Sequence, residues 1–253
     1  MITDHRRLLG VLVASVLALG ACAGATSDDA IPTTTQPAPT TAITEPATES
    51  ATETTQPPAP STTALETIDP AEFEGQIGVY SAMRELWSDH MQWTYSTVDA
   101  FFHNQDELQP TLDRLLANQA DIGAAIEPFY GQAAADQLAS LLTTHIEQAV
   151  PVLTAAQAGD TAALETAVAD WYANAEEIAD FVTAANPENW PQSATRPMLE
   201  GHIDTTIVYA TDLLSGDYTS AIQHYDEAKH HMLMLSDALA AGIIAQFPDQ
   251  FGG

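Results

Sequence analysis

Three segments of this 253-residue chain carry the same short pattern, and that recurrence constrains its fold more than any other feature. They are Leu86-Trp87-Ser88-Asp89-His90-Met91, Leu141-Leu142-Thr143-Thr144-His145-Ile146 and Met198-Leu199-Glu200-Gly201-His202-Ile203. Each holds two large apolar residues, two spacers, a histidine and an apolar residue. Fourteen residues after each histidine comes a turn residue, Asn104, Gly159 or Gly216. Beyond the turns lie Leu115-x-x-Asn118-x-x-x-Ile122, Trp171-x-x-Asn174-x-x-x-Ile178 and Ala228-x-x-His231-x-x-x-Leu235. The second and third copies align without a gap, and the first needs a one-residue deletion. Apolar residues three and four apart mark one face of a helix, so each copy reads as a helical hairpin.

Punctuation divides the region into six helical segments, at about 74–102, 110–129, 132–156, 161–184, 196–214 and 218–246. Gly159-Asp160 and Gly216-Asp217 read as a glycine that ends one helix and an N-cap that starts the next. Pro151 is expected to kink the third helix. The fold expected of residues 68–253 is therefore all-α, an up-and-down bundle of six helices made from three antiparallel hairpins. The stretch is long enough for one domain with a substantial core.

The repeat places polar groups inside that bundle. Fourteen helical residues climb about 21 Å, and an equal number descend, so each histidine returns level with a polar residue on its partner helix. His90 shares a stripe with Met83, Trp87, Thr94 and Phe101, and Asn118 and Asn174 share stripes with Ile122 and Ile178. One inward polar layer is predicted: His90, Asn118, His145, Asn174, His202 and His231. Such a layer is either a hydrogen-bonded ring that fixes register or a metal site. In the metal reading His90, His145, His202 and His231 are the ligands. Asn118, Asp121, Asn174 and Glu177 would then support them from behind. Without a thiolate, the donors suit Zn²⁺, Fe, Mn²⁺ or Cu²⁺.

Known helical metal motifs are mostly missing. A di-iron bundle needs two Glu-x-x-His motifs, and Glu227-x-x-His230 stands alone. No His-x-x-x-His and no His-Glu-x-x-His occurs. His230-His231-Met232-Leu233-Met234 combines imidazole and thioether, which suits Cu(I), although a methionine on an apolar face reads first as core filler. A Gly-x-Ser-x-Gly elbow and a Gly-rich phosphate loop are absent, so an enzyme, most plausibly a metal-dependent one, ranks below a binding module. The alternative to metal is a metal-free module that binds a small molecule or a protein. Trp87, Trp93, Trp171 and Tyr172 would line its pocket or surface, and the His/Asn layer would be structural.

Ahead of the repeats the chain changes character. Arg6 and Arg7, an apolar run over 8–19 and Leu19-Gly20-Ala21-Cys22 have the layout of a secretory signal. The apolar run is shorter than the ~20 residues that span a bilayer. Leu19-Gly20-Ala21-Cys22 resembles the lipobox of bacterial lipoproteins. That resemblance implies cleavage after residue 21, lipid on Cys22 and a membrane-anchored location outside the cytoplasm. Cys22 is the sole cysteine, so no intrachain disulfide can form. Residues 22–67 are rich in Thr and Pro and cannot bury a core, which reads as a disordered tether. A tether of this kind could reach roughly 100 Å.

Charge narrows the partners. The formal net charge is −29, with six Lys and Arg against 35 Asp and Glu. A surface this negative repels nucleic acid, which is excluded as a partner. Its self-repulsion suggests screening by a saline environment. Leu86-Trp87-x-x-His90, with Gln246-Phe247-Pro248-x-x-Phe251 near the C-terminus, resembles an uncharacterised family of bacterial all-helical domains. That resemblance implies the fold and no activity.

Overall fold

A computed structural model describes residues 70–251, so the signal segment, Cys22 and the 22–67 tether lie outside the described residues. The described chain is all-helical, with no strand. Its helices are α1 (Pro70–His103), α2 (Gln105–Tyr130), α3 (Gln132–Ala158), α4 (Thr161–Ala185), α5 (Gln192–Ser215) and α6 (Tyr218–Gln246). A short 3₁₀ turn, Pro248–Phe251, follows. None of these helices is long and apolar enough to cross a membrane.

The turns follow the local chemistry. Gly159 and Gly216 adopt left-handed backbones with φ of 67° and 76°, which favour glycine. The next residue in each case, Asp160 or Asp217, caps the following helix by accepting from Ala163 N or Ser220 N at 3.1 Å. The first hairpin lacks this device and turns at Asn104, where the one-residue deletion falls. Helix α2 starts at Gln105 rather than near residue 110: Pro110 stands at its sixth position, and Asp106, whose carbonyl loses its helical donor there, is exposed, so water can meet that carbonyl. The helical assignment of α3 continues through Pro151. Pro151 and Glu147, whose carbonyl loses its helical donor there, are both exposed, so water can meet that carbonyl.

Connections this short make consecutive helices antiparallel neighbours. Each helix packs on the next in sequence, and α6 packs back on α1, so the bundle closes into a ring of six. The closure is reinforced from both sides. Arg84 of α1 grips Asp237 of α6 with two bonds of 2.6 and 2.7 Å. Trp190, in the loop after α4, donates Nε1 to Ala238 O, while Asn186 donates to Gly242 O. Arginines Arg114 and Arg196 pair across helices in the same way, with Asp89 and Asp180. The three arginines of the described residues thus all join neighbouring helices. These pairs lie at the surface, and the core supplies most of the stability.

The core divides at mid-height. Below the level of the histidines, Met83, Trp87, Leu138, Ile178, Trp190 and Leu199 pack around a cavity of about 40 Å³. Above it, smaller side chains leave a cavity of about 130 Å³. Between the two lies the polar layer.

Candidate functional site

Helices α1, α3 and α5 each send one histidine to the axis of the ring. His90, His145 and His202 are 1, 4 and 3 % exposed. The His90 and His202 ring centres lie 5.4 Å apart, and those of His145 and His202 lie 5.7 Å apart in a stacked arrangement. Their meeting follows from the repeat. Alternate helices of a closed ring carry equivalent residues at equal height, and the inward stripe of each points at the axis.

The hairpins are cross-linked by equivalent bonds. Asn118 Nδ2 donates to Leu86 O at 3.0 Å, and Asn174 Nδ2 donates to Leu141 O at 3.2 Å. His231 Nε2 donates to Met198 O at 2.7 Å. In every case the acceptor is the carbonyl four residues before the histidine of that hairpin. Asn174 does more, because its Oδ1 accepts from His145 Nδ1 at 3.0 Å. His145 is further fixed by Trp171, whose Nε1 donates to the His145 carbonyl at 2.9 Å.

Hydrogen bonds assign the protons. Gln119 Nε2 donates to Leu115 O at 2.7 Å, so the amide turns its NH₂ toward His90 Nδ1, 3.4 Å away. His90 Nδ1 therefore accepts, and its proton sits on Nε2. That proton faces His202 Nε2 at 3.4 Å, which leaves the His202 proton on Nδ1. His145 carries its proton on Nδ1, against Asn174. Three buried atoms of this layer then have no protein partner: His145 Nε2, a lone pair; His202 Nδ1, an N–H; and Gln119 Oε1.

All three imidazoles are held neutral. Burial, then the nearby His145, push His90 down to about 3. Burial lowers His145 to about 4, opposed by its bond to Asn174. His202 lies well below the ordinary histidine value, through burial and then through His90, His145 and His231.

The other expected site residues lie elsewhere. His231 stands apart from the three, half-buried, its ring over Gly201, where an added Cβ would come within 3.0 Å of Cε1. Its Nε2 is committed to the Met198 carbonyl and cannot also bind an ion. Asp121 is exposed and its carboxylate lies 3.7 Å from Arg114, and Glu177 is exposed on α4. Both turn away from the layer because the inward residues are Ile122 and Ile178, four positions beyond each asparagine. Among the described residues, no three His, Cys, Asp or Glu side chains converge on a common ion position.

Of the aromatic candidates, Trp87 lines the smaller cavity and Trp171 the larger. Trp93 lies under the Arg114 guanidinium at 5.6 Å, and Tyr172 donates to Asp204. Gln119 is a member of the layer that the stripe pattern misses. The signal for it is spacing: it follows His90 by 29 residues, as Asn174 follows His145. The deletion in the first hairpin divides the two jobs of Asn174 between Asn118 and Gln119. Among known proteins, no family model, no curated protein and no solved structure matches the chain.

Proposed function

We propose that the chain is a lipid-anchored extracytoplasmic lipoprotein whose helical domain binds a transition-metal ion through His90, His145 and His202. One observation carries the metal reading. His90 Nε2 and His202 Nε2 lie 3.4 Å apart, and His145, whose Nε2 has no partner, stacks on the His202 ring with 5.7 Å between centres. Two nitrogens bound tetrahedrally to one zinc ion at about 2.0–2.1 Å stand about 3.3–3.4 Å apart. The imidazoles are neutral, as ligands must be, and the Asn174 bond to Nδ1 is how a protein aims a histidine that ligates through Nε2.

Binding asks for two adjustments. The His145 ring, stacked on His202, tilts toward the pair into the adjoining cavity. The His90 proton moves to Nδ1, and the Gln119 amide turns so that its unpartnered Oε1 accepts it, giving up the Nε2 bonds to Leu115 O and Asn118 Oδ1. Zn²⁺, Cu²⁺, Fe²⁺ and Mn²⁺ are all compatible with three imidazoles. Metal content of the purified protein, with thermal shifts on adding each ion, tests the reading. One ion per chain, lost in His202→Ala, is expected. No stoichiometric metal and no shift with any of the four ions would overturn it.

A second reading, a metal-free binding scaffold, is favoured by the cross-links to Leu86, Leu141 and Met198, which brace the hairpins without an ion. The anchor rests on the lipobox pattern. Cys22→Ala is expected to abolish labelling by palmitate and to release the protein from the membrane fraction. Retention of the variant on the membrane would count against the anchor.

A further inference from the structure

The larger cavity is apolar along its walls and polar at one end. Val98, Leu115, Ile146, Val152, Leu153 and Ile207 form much of the wall. Four threonines line it as well, and three of them present methyl groups in effect. Thr94, Thr97 and Thr211 donate their hydroxyls to the carbonyls of His90, Trp93 and Ile207 in their own helices. The fourth, Thr206, has its hydroxyl beside the buried Tyr209 phenol, and neither oxygen has a hydrogen-bond partner. At the axial end stand His145 and His202, each with a ring nitrogen that has no protein partner. One is a lone pair and the other an N–H.

We propose that this cavity binds a neutral molecule the size of one aromatic ring bearing a single hydroxyl, a phenol in chemical class. Its ring would lie among Val98, Leu115, Ile146 and Leu153, and its hydroxyl between His145 Nε2 and His202 Nδ1. Size, charge and polarity each narrow the choice. The volume, about 130 Å³, is close to the roughly 150 Å³ that holds a benzene ring in an apolar core. A charged ligand is excluded, because the lining offers no ion of either sign and an unpaired buried charge is costly. A hydroxyl is the smallest group that donates to the lone pair and accepts from the N–H at once. The cavity extends from the layer toward Phe101, Phe102, Leu108 and Leu214, which are only half-buried, so entry is from the end of the bundle.

This inference needs no metal and stands apart from the metal reading. Its test uses the full chain in the presence of a chelator, with phenol and benzene as probes. A dry apolar hole favours benzene, since the phenol hydroxyl would lose its water without replacement. The proposed site favours phenol by about tenfold through two buried hydrogen bonds. Phenol should bind one to one by calorimetry and should move the His145 Nε2 signal in nitrogen-15 spectra of the histidines. His145→Leu should reverse the preference, and Leu153→Phe, which fills the cavity, should abolish binding of both probes. Benzene binding more tightly than phenol, neither probe binding, or phenol binding without a shift at His145 would overturn the proposal. The spectroscopic readout uses the unaltered protein, so it holds even if His145→Leu fails to fold.

Discussion

Asn174 holds His145 through one side-chain amide used in both directions, accepting from His145 Nδ1 at 3.0 Å and donating to Leu141 O at 3.2 Å. Both ends of the amide are buried. Asn174→Ala therefore leaves an imidazole N–H without an acceptor and a carbonyl without its second donor. Each orphaned group costs about 1–3 kcal/mol, so the variant should lose roughly 2–4 kcal/mol of unfolding free energy. Asn118→Ala, which removes the equivalent cross-link to Leu86 and the Oδ1 that Gln119 Nε2 approaches at 3.3 Å, should lose a similar amount. Exposed His230→Ala should change stability by less than about 0.5 kcal/mol. Urea denaturation of the three variants checks the ranking, and a neutral Asn174→Ala would show that the layer is not a structural brace.

Acid should dismantle the layer. His90 is pushed down to about 3 and His145 to about 4, while histidines in the unfolded chain titrate near 6.5. Above pH 7 both states are neutral at these positions, and stability is level. As pH falls through 6.5 the unfolded chain takes up protons that the folded chain refuses. Each such histidine then removes about 1.4 kcal/mol per pH unit, until pH reaches its folded value. With His202 lowered as well, the combined slope approaches about 4 kcal/mol per unit below pH 5.5. A domain of ordinary stability should unfold between about pH 5 and pH 4. Urea midpoints at pH 7, 6 and 5 measure the slope, and a flat midpoint across that range would sink the claim that the three imidazoles are buried and neutral.

The repeat made the helices, the Gly159-Asp160 and Gly216-Asp217 turns and the axial placement of His90, His145 and His202 readable in advance. All of these are set by a period of 3.6 and by residues close in sequence. Closure of α6 on α1 was not readable, because it depends on contacts such as Arg84 with Asp237, 153 positions apart. Nor was the separation of His231 from the other histidines. Its stripe position is equivalent to those of Asn118 and Asn174, and like their amides its ring spends its donor on the carbonyl four residues before the hairpin's histidine, here Met198 O, so it does not reach the axis. Asp121 and Glu177 misled for a simpler reason. Three residues along a helix falls 60° short of a full turn, which on α2 and α4 puts a carboxylate in solvent.

Three helical glycines separate packing from propensity. All of them gain up to about 1 kcal/mol of helix propensity on change to alanine, so differences among them report what the new Cβ meets. At Gly78 it meets nothing within 4 Å, and Gly78→Ala should stabilise the protein. At Gly201 it meets the His231 ring at 3.0 Å, and lifting that ring breaks its bond to Met198 O. At Gly242 it would fall 2.0 Å from Trp190 Nε1, on an indole tied to Ala238 O at 3.0 Å. Gly242→Ala should therefore cost more than about 2 kcal/mol and Gly201→Ala less. Thermal melts of the three variants test the order Gly78→Ala above wild type, then Gly201→Ala, then Gly242→Ala.

Salt should stabilise this protein, against the usual effect on ion pairs. Of the four described Lys and Arg residues, Arg84, Arg114 and Arg196 are committed to bonds between helices, at Asp237, Asp89 and Asp180. Those pairs are exposed, so screening weakens interactions that contribute little in water. The rest of the surface carries an unbalanced excess of carboxylates, since the whole chain has 35 Asp and Glu against six Lys and Arg. Repulsion among them acts on the folded state, where they are held closest, and shrinks as the Debye length falls from about 30 Å at 0.01 M to about 3 Å at 1 M. Melting temperature should rise steadily with sodium chloride across that range. Chloride rather than sulfate keeps the effect one of screening, because sulfate strengthens burial in any protein. Arg84→Gln should lower the melting temperature more at 0.01 M than at 1 M salt. A melting temperature of the parent protein that falls with chloride would show the reverse, that the few inter-helix pairs outweigh the repulsion around them.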